Sequence, residues 1–314
     1  MSAYDLTTDF ESYTFGVEVE TSGRDREAVA KGLAEKMGEG WAAERPASGG
    51  YYDKWYVVQP DGRKWTCMTD GSIHGEGTEV VSPILRGAAD LEVLQRVVRA
   101  LREVGCKSSA NLGCGIHVHV GVGHLDAPAL GRLAKVVAKH DGLIRQAVAV
   151  APERGRWCAP VEQEYAERLG AARDREGLAR AWYGVRSERE VTAAAGTHYH
   201  QSRYRGLNLH SVFYTNRNTA EFRYFNGTLH AGEVKSFVQL AVGLVNKAAR
   251  SKAASAKASA GGHSRGPLAT WRQFMLSLGL VGETFATARQ HLSKHFPPET
   301  TAARSAAQSA TVAA

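Results

Sequence analysis

The sequence predicts an α+β fold, and three observations support this class. Four short stretches alternate apolar with charged residues in the two-residue period of a β-strand. Several longer stretches repeat apolar residues at the spacing of an amphipathic helix. The chain has 314 residues and is 43% hydrophobic, which is enough material for the core of one large domain or two small ones.

The first predicted strand, residues 15–21, carries two glutamates on one face. Val17 and Val19 fall on the opposite face because side chains alternate along a strand. The Cα atoms of Glu18 and Glu20 would lie about 7 Å apart, so both carboxylates could reach one cation or two neighbouring ones. Without a partner they would repel each other, so the pair favours positive charge nearby.

Three more predicted strands repeat this arrangement of one apolar face and one charged face. Side chains suited to metal or phosphate binding therefore recur on a single face of four strands, which a solvated surface does not readily explain. They are Glu79 in residues 78–82, His117 and His119 in residues 115–121, and Glu221 and Arg223 in residues 220–225.

Composition excludes several other classes of protein. No apolar run approaches the roughly 18 residues of a membrane span, and the N-terminal stretch with Asp5 and Asp9 does not resemble a signal peptide. We therefore expect a cytoplasmic protein without a membrane partner. The four cysteines lack paired spacing, which predicts reduced thiols and no cysteine-based zinc site.

The basic excess of the chain is concentrated near its end. The net charge is +7, and from residue 250 onward there are eight Lys or Arg against two Glu. Proteins that bind nucleic acid usually spread basic residues over one face of a domain. The charge distribution therefore does not favour a nucleic-acid partner.

The remaining elements follow from periodicity and turn residues. Pro60-Asp61-Gly62 predicts a turn inside a hairpin over residues 51–69. A weakly periodic segment, 187–200, is expected to be a loop over the active face, and 183–203 is a candidate lid. Helices are predicted at 24–37, 88–104, 126–150, 162–182, 232–250, 270–280 and 284–296, and a late strand at 204–209.

This pattern divides the chain into five parts. They are a lead-in at 1–12, a main domain at 13–250, a flexible basic linker or loop at 251–266, C-terminal helices at 267–296 that pack on the main domain, and a disordered tail at 297–314.

The charged face favours hard divalent cations and a phosphate ligand. Carboxylates suit Mg²⁺ or Mn²⁺, and the imidazoles also leave room for Mn²⁺ or Zn²⁺. Carboxylates gathered with an arginine suit ATP, although the chain has neither a P-loop nor a Gly-x-Ser-x-Gly elbow. Asp70 and Glu76, in a glycine-rich loop just before Glu79, could join the cation of Glu79.

Four motifs in order carry a family resemblance. Phe-Gly-Val-Glu-Val-Glu, Asp-Gly-Ser-x₆-Glu-Val-Val-Ser-Pro, Cys-Gly-Ile-His-Val-His-Val and Glu-Phe-Arg-Tyr-Phe-Asn-Gly-Thr-Leu resemble the putative amidoligases. These are relatives of glutamine synthetase and glutamate–cysteine ligase in the carboxylate–amine ligase superfamily. The resemblance covers roughly residues 13–296. It implies a glutamine-synthetase-like catalytic domain with a curved, mainly antiparallel sheet, helices on the convex side, and ATP bound through two divalent metals on the concave side.

The resemblance also implies a role for each motif residue. Glu18, His117 and Glu221 would hold one metal beside the ATP phosphates. Glu20 and Glu79 would hold the second metal, with the third ligand open between Asp70 and Glu76. His119 and Arg223 would contact phosphate, and Arg205 and Asn208 sit where relatives have a basic substrate or phosphate contact. Arg223, Glu221 and Glu18 would act in catalysis.

The implied activity is ATP-dependent ligation of a carboxylate to an amine through an acyl phosphate. The acid would be a small molecule or a peptide, and the lid would keep water from the acyl phosphate. A guanidino or other small-molecule phosphotransferase of the same fold is an alternative, as is a non-catalytic module that binds a peptide or nucleic acid. Replacing Glu18 or Glu221 by Gln is expected to abolish turnover and to relieve carboxylate repulsion.

Overall fold

The structure, a computed structural model, describes residues 4–48, 50–214, 217–258 and 266–297. These residues form an α+β fold. The strands are β1 (Thr14–Ser22), β2 (Ala42–Glu44), β3 (Trp55–Val58), β4 (Lys64–Met68), β5 (Gly77–Val81), β6 (Leu85–Arg86), β7 (Gly115–Gly121), β8 (Leu207–Asn208) and β9 (Thr219–Asn226). The helices are α1 (Thr7–Phe10), α2 (Arg26–Met37), α3 (Gly87–Glu103), α4 (Ala127–Ala147), α5 (Gln163–Ala171), α6 (Arg175–Tyr183), α7 (Glu188–Ala195), α8 (His210–Tyr214), α9 (Ala231–Arg250), α10 (Gly266–Ser277) and α11 (Ala286–His291).

The described strands form one sheet in which neighbouring strands are antiparallel. Its order is β2-β3-β4-β5-β1-β7-β9-β8, and β6 pairs with the start of β1. Within the described residues the sheet stays open, with β2 and β8 at its two ends. The four strands predicted to carry charged side chains, β5, β1, β7 and β9, are therefore consecutive neighbours.

The register of β1 aligns the charged residues of its two neighbours. Glu18 pairs with His117 on β7, and Glu20 pairs with Glu79 on β5. Because side chains repeat every two residues, Val17 and Val19 point to the opposite face, where both are buried. A slip of one residue would exchange the two faces, so burial of the valines fixes the position of the glutamates.

The helices pack on the apolar face of the sheet. α2 contacts β3, β4 and β5, α9 contacts β7, and α3 and α4 flank α9. Phe225 on β9 stacks on Phe237 of α9 with ring centroids 4.3 Å apart. The same core includes Trp271 of α10 and Phe285 just before α11. The opposite face of the sheet is thereby left to the polar side chains.

Two predicted helix starts are confirmed by capping geometry. The Asp25 side chain accepts a hydrogen bond from the Ala28 amide, and Asp126 accepts one from Ala129, each at 2.7 Å. Each aspartate thus satisfies an amide that the first turn of the helix leaves free. The hairpin with its turn at residues 60–62 is also present, as β3 and β4.

The prediction of one helix over 162–182 is wrong. The backbone is extended at Ala172, and the Asp174 side chain then accepts from the Gly177 amide, so a new helix begins there as α6. The expected loop at 187–200 instead contains α7, which starts with a capping box formed by Ser187 and Glu190. The Ser-x-x-Glu spacing was the sequence signal for that helix.

The terminal parts differ from the expectations in one respect. The predicted polar lead-in contains the short helix α1, whose neighbour Leu6 and last residue Phe10 are buried in the core. Parts of the predicted linker, 259–265, and of the predicted tail, 298–314, lie outside the described residues. Among the described helices, none combines the length and apolar character that crossing a bilayer requires.

The packing predicts that truncating Ile116, a fully buried residue of β7, has a large effect on stability. We expect Ile116→Ala to lower the free energy of unfolding by about 2–5 kcal/mol, because it removes buried apolar surface and leaves a cavity. Urea denaturation would measure this change. Ile84→Ala is the matched control, since Ile84 is 74% exposed and should change stability by less than about 0.5 kcal/mol. Equal effects at both positions would contradict the described packing.

Candidate active site

Glu18 lies at the centre of the charged face, between two histidines. Its Oε2 atom is 2.8 Å from His117 Nδ1, and the two atoms are hydrogen bonded. Its Oε1 atom is 3.0 Å from His119 Nε2, an electrostatic contact without hydrogen-bond geometry. Burial raises the pKa of Glu18, but the charge of His119 and the contacts with both imidazoles outweigh burial and hold this pKa well below its usual value.

Glu221 is buried on β9, across β7 from Glu18, and Arg223 and Asn208 hold it in place. Arg223 forms an ion pair with it, and Asn208 Nδ2 donates a hydrogen bond to its Oε2 at 2.6 Å. Burial raises the pKa of Glu221, but the guanidinium of Arg223 and then His119 lower it to about 2. Asn208 was expected at a substrate or phosphate contact. It is 1% exposed, and its side chain holds the carboxylate of Glu221 in place.

Arg223 lies on the same face as Glu221, because the two residues are two positions apart on β9. The pairing of β7 with β9 is irregular there, so that Arg223 and Tyr224 together lie opposite His117 and Phe225 is opposite Ile116. Tyr224 is directed to the buried side, where its hydroxyl donates to Asp141 Oδ1 at 2.6 Å. The Arg223 Nε group donates to the carbonyl of Trp157 at 3.2 Å. These contacts hold a cation beside the glutamates.

A second group of side chains forms where β1 meets β5. Glu20 and Glu79 are paired across the two strands, and both are buried. The backbone amide of Gly115 donates to Glu20 Oε2 at 2.5 Å. His117 Nε2 lies 3.6 Å from Glu20 Oε1. His117 thus directs one ring nitrogen toward Glu18 and the other toward Glu20.

Negative charge accumulates at this second group. Burial raises the pKa of Glu79 well above its usual value, and the charges of Glu18, Asp70, Glu20 and Glu221 raise it further. The pKa of Glu20 is also raised, mainly by burial. The sequence led us to expect repulsion between carboxylates at Glu18 and Glu221. In the structure this repulsion acts mostly on Glu79, because Glu18 and Glu221 have cationic neighbours.

Two sets of candidate metal ligands occur among the described residues. In each, one ligand atom per residue lies within 4.8 Å of the others; the sets are Glu18, His117 and Glu221, and Glu20, Glu79 and His117. Carboxylate oxygens with an imidazole nitrogen are donors that suit Mn²⁺, and the carboxylates suit Mg²⁺. The unbalanced charge at Glu79 also fits a bound cation, so the residues present fit the two metals that the sequence predicted.

Asp70 and Glu76, the alternatives for the third ligand beside Glu20 and Glu79, differ in position. Asp70 accepts a hydrogen bond from the Ser72 amide at 2.6 Å, and its charge reaches Glu20 and Glu79. Glu76 is exposed to solvent. His117 is the side chain grouped with Glu20 and Glu79, because the register of β7 against β1 places its imidazole between both pairs of glutamates. A role of Asp70 as a third ligand stays a prediction.

Sequence reasoning overlooked Arg154, which is only 4% exposed. Its Nη2 group donates to the Arg223 carbonyl at 3.0 Å and lies 3.4 Å from His117 Nε2. A side chain at Gly115 would place a Cβ atom 1.8 Å from Arg154 Nη1, so this glycine makes room for the guanidinium. The Arg154 charge lowers the pKa of Glu20 against the effect of burial. No periodic pattern surrounds Arg154 in the sequence, and Gly115 was the available signal.

Arg205 lies away from these carboxylates. Its guanidinium is stacked over the ring of Tyr165 on α5, 4.3 Å from the ring centroid. It lines a cavity formed with α5 and α6. The structure therefore groups Arg205 with aromatic side chains, apart from the proposed metal ligands.

The segment 196–203 crosses the polar face of the sheet. His198 stacks on Tyr214 of α8, near the β8 end of the sheet, with ring centroids 5.3 Å apart. The hydroxyl of the next residue, Tyr199, is hydrogen bonded at 3.1 Å to that of Tyr52, which precedes β3. The hydrogen bond with Tyr52 and then burial raise the pKa of Tyr199, and the charge of Asp70, which also acts on Glu79, raises it further. The segment thus bridges the sheet on the side of the carboxylates.

The charge at Glu79 generates a stability prediction. We expect Glu79→Gln to raise the melting temperature in EDTA at neutral pH by about 2–4 °C, a gain on the order of 1 kcal/mol, because a buried, repelled carboxylate becomes neutral. Adding Mg²⁺ or Mn²⁺ should stabilise the unsubstituted protein more than the variant. Differential scanning calorimetry would measure both effects.

The matched control for this prediction is Glu76→Gln, the same change at an exposed glutamate three residues earlier. It should leave the melting temperature and the response to metal nearly unchanged. A Glu79→Gln protein less stable than the unsubstituted chain in EDTA would contradict the charge distribution described above.

Comparison with protein families places the chain in a described family. A family model described as "Putative amidoligase enzyme" matches residues 11–245, about three quarters of the chain's 314 residues. The matched range includes all four charged strands and Arg154. A search of the curated proteins found none that matches.

Proposed function

The chain belongs to the family of putative amidoligase enzymes, and from this premise we propose that it is an ATP-dependent carboxylate–amine ligase. The observation that carries the proposal is the pair of ligand sets that share His117, with Arg223 beside them. A reaction on ATP requires divalent cations at its phosphates and a fixed cation near the transferred group. The open antiparallel sheet with helices on one face also supports a glutamine-synthetase-like catalytic domain.

The metals would occupy the two sets of ligands. Glu18, Glu221 and one ring nitrogen of His117 would hold one Mg²⁺ or Mn²⁺, and Glu20 and Glu79 would hold the other, because a neutral imidazole offers a metal only one lone pair. Bound there, the cations would neutralise phosphate charge and orient the phosphates for in-line transfer. Asn208 and the Gly115 amide would support this arrangement, because they hold Glu221 and Glu20 in fixed orientations.

The reaction would proceed in two steps. An oxygen of the acid's carboxylate forms a bond to the γ-phosphorus of ATP while the bond from that phosphorus to the bridging oxygen breaks and ADP leaves. The amine nitrogen then bonds to the carbonyl carbon of the acyl phosphate, inorganic phosphate leaves, and the amine loses a proton to solvent. The product is an amide.

The chain's own cations would act in the first step. Arg223 is buried and fixed by Glu221 and by the Trp157 carbonyl, so it would stabilise charge on the moving phosphoryl group without reorganising. His119, which lies beside the Oε1 atom of Glu18, would contact the nucleotide phosphates. The positive charge of Arg154 would balance the negative charge of Glu20.

Water must be kept from the acyl phosphate, which it would hydrolyse. The segment 196–203 would act as the lid, because it crosses the carboxylate face and is joined to the far end of the sheet by the Tyr52–Tyr199 hydrogen bond. Within the lid proposed for residues 183–203, this hydrogen bond can be tested by itself, because Tyr199→Phe removes only the hydroxyl oxygen that forms it.

Nucleotide binding is the first test of the proposal. We expect calorimetric titration of a non-hydrolysable ATP analogue to give binding that requires Mg²⁺ or Mn²⁺. Glu18→Gln and Glu221→Gln should weaken this binding and reduce ATP turnover at least a hundredfold while circular dichroism stays unchanged, because each removes a charged metal ligand. Glu76→Gln, outside both ligand sets, should retain both activities.

Three outcomes would count against the proposal. Binding that is indifferent to divalent cations would remove the metals from the site. Full ATP turnover in Glu221→Gln would show that Glu221 is not part of the catalytic site. Release of ADP with a phosphorylated product and no amide would assign the chain to the phosphotransferases.

The lid has its own test. We expect Tyr199→Phe to increase ATP hydrolysis severalfold relative to amide formation, because the lid loses its hydrogen bond to Tyr52 and admits water. Tyr51→Phe is the matched control, since Tyr51 is 94% exposed and should leave the ratio unchanged. An unchanged ratio in Tyr199→Phe would show that this bond does not control access of water.

A further inference from the structure

A cavity rich in arginine and aromatic side chains lies beside the carboxylate face. It has a volume of about 570 Å³ and is enclosed by α5, α6 and residues 200–205. Three arginines line it, Arg156, Arg168 and Arg205, together with the rings of Tyr165 and Trp182. We call it the arginine cavity. Its volume is in the range of sites that hold a molecule larger than a single amino acid.

The arginine cavity carries positive charge that the described residues do not neutralise. No aspartate or glutamate is among its lining residues. In the described parts of the chain, no carboxylate lies within ion-pair distance of Arg156, Arg168 or Arg205. Their guanidinium groups lie over aromatic rings instead. Such an arrangement favours an anionic ligand.

The arginines are held in place by these rings. Arg205 and Arg168 lie 4.3 Å and 5.4 Å from the centroid of the Tyr165 ring, and Arg156 lies 4.8 Å from that of Trp157. Stacking of this kind leaves the planar edge of a guanidinium free to donate hydrogen bonds. The Nε group of Arg205 is buried and has no hydrogen-bond partner among the described residues.

One wall of the arginine cavity touches the proposed catalytic cation. Tyr204 lines the cavity, and its ring centroid is 6.0 Å from the guanidinium carbon of Arg223. Tyr204 also packs edge-on against Trp157, whose carbonyl accepts the hydrogen bond from Arg223. A molecule in the cavity is therefore separated from Arg223 by a single aromatic side chain.

We propose that the arginine cavity binds the acid substrate, and that this acid is an oligocarboxylate of the size of a short acidic peptide. The inference rests on the proposed ligase function. Two or three carboxylates would pair with the arginines, the aromatic rings would pack on the chain between them, and the reacting carboxylate would extend past Tyr204 toward Arg223. ATP is not the expected occupant, because no carboxylate lines the cavity to hold the divalent cations of a triphosphate.

Binding can be tested without nucleotide or metal. Calorimetric titration of the full chain with triglutamate should give binding, and titration with uncharged triglutamine should give none. Arg168→Gln and Arg205→Gln should each weaken the binding of triglutamate about tenfold or more. Arg168 is exposed, so the change there does not endanger folding. Arg173→Gln is the matched control, because Arg173 is an exposed arginine between α5 and α6 that does not line the cavity.

Turnover then tests the role as substrate. With ATP, Mg²⁺ and hydroxylamine as the amine, triglutamate should yield a hydroxamate. Arg168→Gln should raise KM for triglutamate about tenfold and leave KM for ATP unchanged. The split between these two constants distinguishes loss of the acid's site from damage to the nucleotide site or to the fold.

Several results would overturn the inference. Absence of triglutamate binding by folded protein would refute it, as would equal binding of triglutamine. Tighter binding of tripolyphosphate than of triglutamate would assign the cavity to phosphates. Triglutamate binding without any metal-dependent ATP binding would refute the substrate role and the ligase proposal together, whereas ATP binding without triglutamate binding would refute only the assignment of the cavity.

Discussion

The structure depends on four glutamates gathered on one face of the sheet, on β1, β5 and β9; Glu20, Glu79 and Glu221 are buried and Glu18 is half-buried. Carboxylates this close destabilise one another unless cations lie between them. The protein supplies such cations unevenly: Glu18 has two imidazoles and Glu221 has Arg223, whereas Glu79 has an excess of negative neighbours. The face is thus only partly neutralised by the chain itself. This residual negative charge is the physical reason to expect metal binding.

Strand alternation and one glycine bring the cations to this face. Arg223 is two residues after Glu221 on β9 and so shares its face, while the hydroxyl of Tyr224 donates to Asp141 on the buried side. On β7, the absence of a side chain at Gly115 admits the guanidinium of Arg154. Both arginines are buried, so their positions are set by packing and hydrogen bonds. The proposed site is therefore preorganised for anionic ligands.

The strand residues of the site could be predicted because a period of two fixes which side chains share a face. That rule placed Glu18, His117 and Glu221 on the charged faces of their strands, and the family resemblance supplied their grouping around one metal. The second set was harder, since His117 completes it through the register of β7, and sequence proximity had favoured Asp70 and Glu76. Arg154 and the cavity around Arg205 come from segments without a clear period. Their positions follow from tertiary contacts.

The sequence by itself determined the α+β class, the charged face of each strand and the start of the helix that Asp126 caps. These features depend on residues a few positions apart, so local stereochemistry specifies them. The tertiary structure decided the order of the strands, the imidazole shared between two ligand sets, and the placement of the arginines that surround the carboxylates. Those features join residues about 40 to 200 positions apart, and only the packing of the common core brings such residues into contact.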